Sequence, residues 1–174
     1  MTKVIFIELD GTLIHPREED HQFIRGSTPE ETAEREARGL LARSIVSDIA
    51  LPDFAYERLM YYKNQGWMVV VMTHQPLVGL GKRTLDQVYQ IFLATNHLLD
   101  NILDGFLVCT DHPEAVIEAY RREPDKNRLL DIFLRETNSK RSDLEAVMVV
   151  SHIEADYLFA AHNGFKFRKA NEFL

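Results

Sequence analysis

Val4–Ile7, Met68–Met72, Phe106–Val108 and Ala146–Val150 are short runs of nearly uninterrupted hydrophobic residues. A strand with one wet face alternates apolar and polar side chains, whereas a strand of a parallel sheet covered on both faces does not. Between these runs lie amphipathic stretches around residues 29–48, 53–65, 83–99 and 126–137, and then 154–162. Strand and helix in alternation, at these lengths, predict an open, doubly wound, three-layered α/β fold with a parallel sheet. In that architecture chemistry gathers at the carboxyl ends of the strands, so the strand tips are the places to search.

The totals restrict what such a fold can be used for. The 174 residues suffice for one domain with a substantial core, and no linker, repeat or low-complexity tract divides residues 1–174. A net charge of −7 with scattered Lys and Arg argues against nonspecific nucleic-acid binding, which depends on neutralising phosphates, though it leaves binding of a strand end open. Cys109 is the only cysteine, so neither an internal disulfide nor a cysteine-based zinc cluster is expected, and it reads as a strand-end core residue. "WMVVVM" is far too short to span a bilayer and the N-terminus lacks a signal-peptide pattern. No membrane association and a cytoplasmic location are the expectations.

Local signals place the element ends. Thr28, Pro29 and Glu31 form a capping-box pattern for a helix entering near residue 29, while "REEDHQF" and "RGSTPE" read as surface loop. Gly66 reads as the left-handed residue ending the helix before "WMVVVM".

Four strand tips carry candidate chemistry. "IELDGTL" delivers Glu8, Asp10 and Thr12; "VVVMTHQ" delivers Thr73, His74 and Gln75; "RREPDKN" offers Glu123 and Lys126; "SHIEAD" offers His152, Glu154 and Asp156. Each has a plain reading. Asp10 can serve a Gly-Thr turn, Thr73 can bond locally, Lys126 can be a solvated surface lysine, and Asp156 can favour a helix start. His152 can be an ordinary loop histidine, and Glu8 can simply face solvent beyond the sheet.

The ordered set resembles the haloacid dehalogenase (HAD) superfamily of phosphatases, whose pattern is DxDGT, a strand-end Ser or Thr, a Lys, and GDxxxD. "MTHQPLVGLGKRTLDQV" further resembles the histidinol-phosphate, heptose-bisphosphate and polynucleotide 3′-phosphatase branch. The resemblance covers nearly the whole chain and implies a Rossmannoid HAD-like domain, with residues 15–50 as an insertion or small helical cap. It implies Glu8 at the nucleophile position and Asp10 as general acid and base. It implies Thr12, Thr73 and Lys126 around a phosphate, and a divalent ion, Mg²⁺ or alternatively Mn²⁺, held among Glu8, Asp10, His152 and Asp156.

Three positions depart from the family pattern. Glu8 stands where the family has Asp, and one extra methylene shifts the attacking oxygen by roughly an ångström, a misplacement that can cost ~100-fold. If "REP" replaces the branch's "RKP", Glu123 stands in place of the lysine, leaving Lys126 as a stand-in one helical turn on or as a surface residue. His152 replaces the first acid of GDxxxD, and histidine suits softer metals better than magnesium. Cys109 and His112 are all that remains of the branch's zinc loop, so no structural zinc is expected.

Together these imply a HAD-fold, phosphatase-like protein impaired in catalysis, with a pocket kept for a small phosphorylated ligand or for regulation through a protein partner. The alternative is an active metal-dependent phosphomonoester hydrolase using Glu8 or a rearranged site.

Overall fold

The computed structural model describes residues 1–16 and 49–174. Five strands form one parallel sheet: β1 (Thr2–Ile7), β4 (Trp67–His74), β5 (Gly105–Cys109), β6 (Leu144–Ser151) and β7 (Lys166–Lys169). The order across the sheet is β5-β4-β1-β6-β7. The remaining strands, β2 (His15–Pro16) and β3 (Ile49–Ala50), pair antiparallel with each other on either side of the undescribed residues. The expected helix over 29–48 and its Thr28–Glu31 cap lie outside the described residues, as does most of the 15–50 insertion.

Each of the four expected strands is present and extends beyond its apolar run. Four expected helices are present too: α1 (Ala55–Lys63), α3 (Leu85–Leu98), α4 (Lys126–Glu136) and α5 (Glu154–Asn163). Two short helices are also present among the described residues, α2 (Pro76–Gly79) and α6 (Ala170–Phe173). Gly66 has the expected left-handed backbone, at φ 79°.

The pleat of β1 explains the layering. Ile5 and Ile7 point to one face, where they join Val69, Val71, Met148 and Val150 under Leu59 of α1, Ile91 and Phe92 of α3, and Phe173 of α6. Val4 and Phe6 point to the other, with Val70, Met72, Val147 and Val149 beneath Leu129, Leu130 and Phe133 of α4 and Phe159 of α5. Every residue from Val4 to Ile7 is essentially removed from solvent, which is why the run is apolar on both faces. Cys109 is buried at the end of β5.

β1 lies between strands reached in opposite directions, with β4 on one side and β6 on the other. That reversal opens a crevice at the carboxyl ends, the place where ligands enter folds of this kind. Among the described residues, no helix is long and apolar enough to cross a membrane.

Candidate functional site

The carboxyl end of β1 passes into a tight turn. Glu8 N donates to Val150 O (3.0 Å), carrying the ladder with β6 one residue beyond the strand. Leu9 O then accepts from the amides of Leu13 and Ile14, both at 3.0 Å. Gly11 makes the bend at φ 69°, a backbone state that side-chain-bearing residues rarely adopt. The turn leaves Glu8 and Thr12 buried and Asp10 exposed at its tip.

Glu8 is the centre of the buried polar network. Its Oε1 accepts from Leu9 N (3.1 Å) and from the Thr73 hydroxyl, and its Oε2 pairs with Lys126 Nζ at 2.6 Å. Lys126 also lies 2.5 Å from Asp156 Oδ1 and donates to the Met72 carbonyl at 3.3 Å. Neither oxygen of Asp156 has a directed hydrogen bond among the described residues, so its link to Lys126 is an ion pair carried by charge. Burial pushes the Glu8 carboxyl above its usual range. The Lys126 charge and hydrogen bond and the Thr73 hydroxyl oppose that rise, while Asp156 adds to it.

Lys126 reaches this place because of its helix start. The Asp125 side chain accepts from Asn127 N (2.8 Å) and caps α4, which fixes Lys126 in the first turn, facing the sheet. Its side chain is only 13% exposed, so the surface-lysine reading of Lys126 is corrected. Glu123, which the motif spacing put in the lysine's place, is exposed and belongs to the loop before the cap. The acid at 123 therefore does not displace a lysine from the cluster.

A second network holds Asp10. Gln75 Nε2 donates to Asp10 Oδ2 (2.5 Å) and to Thr73 Oγ1 (3.2 Å), while Gln75 Oε1 accepts from Arg83 Nη1 (3.0 Å). A carboxylate only accepts and a guanidinium only donates, so the orientation of the Gln75 amide is determined. His74 turns away, its Nε2 donating to the Asp111 carbonyl at 2.9 Å. The Asp111 carboxylate in turn pairs with Arg122 (2.9 Å) and Arg128 (2.6 Å).

At the end of β6 the picture changes. Ser151 Oγ accepts from Ile153 N (3.0 Å), and His152 Nδ1 is hydrogen-bonded to Thr12 Oγ1 at 3.0 Å, with the imidazole lying against Gly11. His152 and Glu154 are exposed, whereas Asp156 is buried in the first turn of α5.

The nominated residues thus fall into three groups. Glu8, Thr73, Lys126 and Asp156 share one buried network; Asp10 joins it through Gln75; Thr12 and His152 pair beside it. Magnesium wants open oxygen donors in near-octahedral array. Among the described residues, no three His, Cys, Asp or Glu side chains come together to hold a metal ion. Within the expected ligand set of Glu8, Asp10, His152 and Asp156, Lys126 stands between Glu8 and Asp156, and residue 152 offers nitrogen rather than oxygen. This donor set does not fit magnesium.

Sequence reasoning missed Arg83 and the Leu9 amide. Arg83 lies eight residues past Gln75 and beyond the short α2, a spacing without periodicity. A backbone N–H leaves no trace in residue type.

No family model matches the sequence, and no curated protein matches it. Solved structures do match in fold. A putative HAD-like phosphatase from Mesorhizobium loti superposes with a TM-score of 0.64 at 17% identity, over 94% of this chain and 69% of that one. The D,D-heptose 1,7-bisphosphate phosphatase of B. bronchiseptica, solved with magnesium and phosphate, gives 0.61 at 17%, over 95% and 79%. A mutant HAD family enzyme from Bacteroides thetaiotaomicron, in complex with magnesium and inorganic phosphate, gives 0.50 at 12%, over 97% and 94%. At such identities the likeness is one of fold, and the fold of this chain is HAD-like.

Proposed function

We propose that this HAD-fold chain binds a phosphorylated ligand at the carboxyl edge of its sheet and is impaired in hydrolysing phosphomonoesters. The observation that carries the reading is the state of Glu8. Attack on phosphorus needs a carboxylate oxygen free to approach in line, yet both oxygens of Glu8 are engaged by Leu9, Thr73 and Lys126. The replacement of an oxygen donor by His152, and a donor set that does not fit magnesium, support the same conclusion. What remains suits binding: a largely buried ammonium, a buried hydroxyl and a turn amide converge on one carboxylate. A small phosphorylated molecule or the phosphorylated part of a protein is the partner this chemistry suits; a nucleic-acid end is less favoured, given the net charge of −7.

A second reading rests on one observation. Asp10 is held at the mouth of the site by Gln75, itself fixed by Arg83, as a general acid and base would need to be. Under it the protein is a phosphomonoester hydrolase using Glu8 with Mn²⁺ or another divalent ion.

Turnover of a phosphomonoester panel, including a 3′-phosphorylated oligonucleotide, separates the two. Mg²⁺, Mn²⁺ and Zn²⁺ are tested separately, with Asp10→Asn as control. No turnover with any metal is expected. Turnover lost in Asp10→Asn would establish the second reading instead.

A further inference from the structure

We infer that the free edge of β5 and the outer face of α3 form a self-association surface, through which two copies of this chain join their sheets about a two-fold axis.

The two edges of the sheet are built differently. β7 closes one side, and its Lys166, Arg168 and Lys169 leave only Phe167 uncharged. Charges on an edge strand discourage pairing with a second chain. Paired antiparallel with itself, β7 would also set Lys166 against Lys169, like charges directly opposite. β5 closes the other side with Gly105, Phe106, Leu107, Val108 and Cys109, a strand with no charge and no proline. Its register with β4 is unbroken by any bulge, and among the described residues β4 is its only strand neighbour. Of the two edges, β5 is the one left open to pairing.

The helix beside it extends the same surface. Leu85, Tyr89 and Leu93 fall four residues apart on α3, which sets them in one stripe, yet they are 42%, 47% and 40% exposed. Val88, Ile91 and Phe92 already supply the apolar face that packs on the sheet. A helix with one partner needs one such face, so the second stripe is unused within a single chain. Stripe and strand are continuous: the Tyr89 ring centroid is 6.3 Å from that of Phe106. Val116, whose amide donates to Gly79 O at 2.9 Å ahead of α3, is exposed as well.

Charge and geometry identify the occupant. Asp86 is the only acid of α3 and β5, and neither element has a Lys or Arg. On a chain of net charge −7, this is a face where a second copy meets little repulsion, whereas a partner recognised by charge finds nothing to pair with. A two-fold axis through Leu107 sets Phe106 opposite the partner's Val108, on the face that α3 covers, and brings the two exposed stripes together. Strand pairing alone is too small, since stable interfaces bury about 1,200–2,000 Å² in total; the helix stripes supply the rest. The pairing is antiparallel, so the two carboxyl edges, and the sites on them, open at opposite ends of a sheet twice as wide.

Mass in solution is measured by sedimentation equilibrium over a concentration series. The proteins are wild type, Tyr89→Lys/Leu93→Lys, and Leu158→Lys, which puts the same charge on an exposed apolar residue of α5. Wild type is expected to approach the mass of two 20.2 kDa chains as concentration rises. Lysines facing lysines across the axis should weaken association at least about tenfold, while Leu158→Lys should match wild type. Amide exchange across Gly105–Cys109 in the wild type should slow from the dilute to the concentrated end of the series. A monomer at every concentration would overturn the inference and leave the face to a different protein. So would a dimer that survives Tyr89→Lys/Leu93→Lys, or β5 amides whose exchange ignores concentration. If the double variant does not fold, Leu85→Lys decides in its place, and association as strong as wild type would overturn the inference.

Discussion

Two lysines tie carboxylates at opposite edges of the same sheet. At the amino edge, Lys63 at the end of α1 reaches both oxygens of Asp104 at 2.6 and 2.7 Å, and Asp104 Oδ2 also accepts from Val69 N at 2.7 Å. At the carboxyl edge, Lys126 stands between Glu8 and Asp156. The first pair is one cation to one anion, with side chains 26% and 27% exposed. The second has one cation for two anions, at 13% exposure for the lysine and 2% for each acid. Asp104 joins the entry of β5 to β4 and is satisfied where it stands. The Lys126 cluster carries an unbalanced charge away from water, an arrangement more costly than fastening strands requires. Similar groups thus form a balanced, partly exposed clasp at one edge and an unbalanced, largely buried cluster at the other, and the difference is set by solvent and charge count.

The comparison can be broken most severely at Lys126. Lys126→Met leaves two carboxylates facing each other in the interior, and unfolding in urea should show a loss of about 3–5 kcal/mol at neutral pH. A loss under about 1 kcal/mol would mean that water reaches the cluster and that the contrast with Lys63 is false.

Glu8→Gln sharpens the contrast through pH. The Glu8 carboxyl is raised above its ordinary 4.5 in the folded chain, so the native state binds its proton more firmly than the unfolded state does. That contribution to stability is whole below pH 4.5 and fades as pH rises through the folded value. Melting temperature of the wild type, followed upward from pH 4.5, should contain a decline that Glu8→Gln lacks. Parallel curves for the two proteins would refute the assignment. Smallest is Lys63→Met, expected to cost no more than about 1 kcal/mol in the same urea experiment, because water and Val69 N still serve Asp104.

Much of this was legible in the sequence, and what was not has physical causes. The interior strands announced themselves because burial on both faces demands apolar residues throughout. β7, "KFRK", did not, because an edge strand with one half-buried Phe167 among charged neighbours has no such pattern. Glu8, Asp10, Thr12 and Thr73 were legible because parallel strands present their tips to one crevice. Lys126 was ambiguous for the opposite reason. Its direction depends on the Asp125 cap and the path of the preceding loop, which motif spacing alone read as putting Glu123 in its place. Asp10 was identified but its holder was only half seen: Gln75 was noted at the strand tip, while Arg83 is brought back by the short turn of α2.

The bend at Gly11 bears on which residues positions 11 and 152 can accept. A Cβ built there would come within 2.7 Å of the His152 ring. A side chain at position 11 would have to push the exposed imidazole aside, and the left-handed backbone there would strain it in any case. Position 152 is under no such obligation, since a smaller residue there only opens space. The two positions are coupled in one direction only: a change at 11 disturbs the imidazole, whereas a smaller residue at 152 leaves the left-handed backbone at 11, and its demand for glycine, in place.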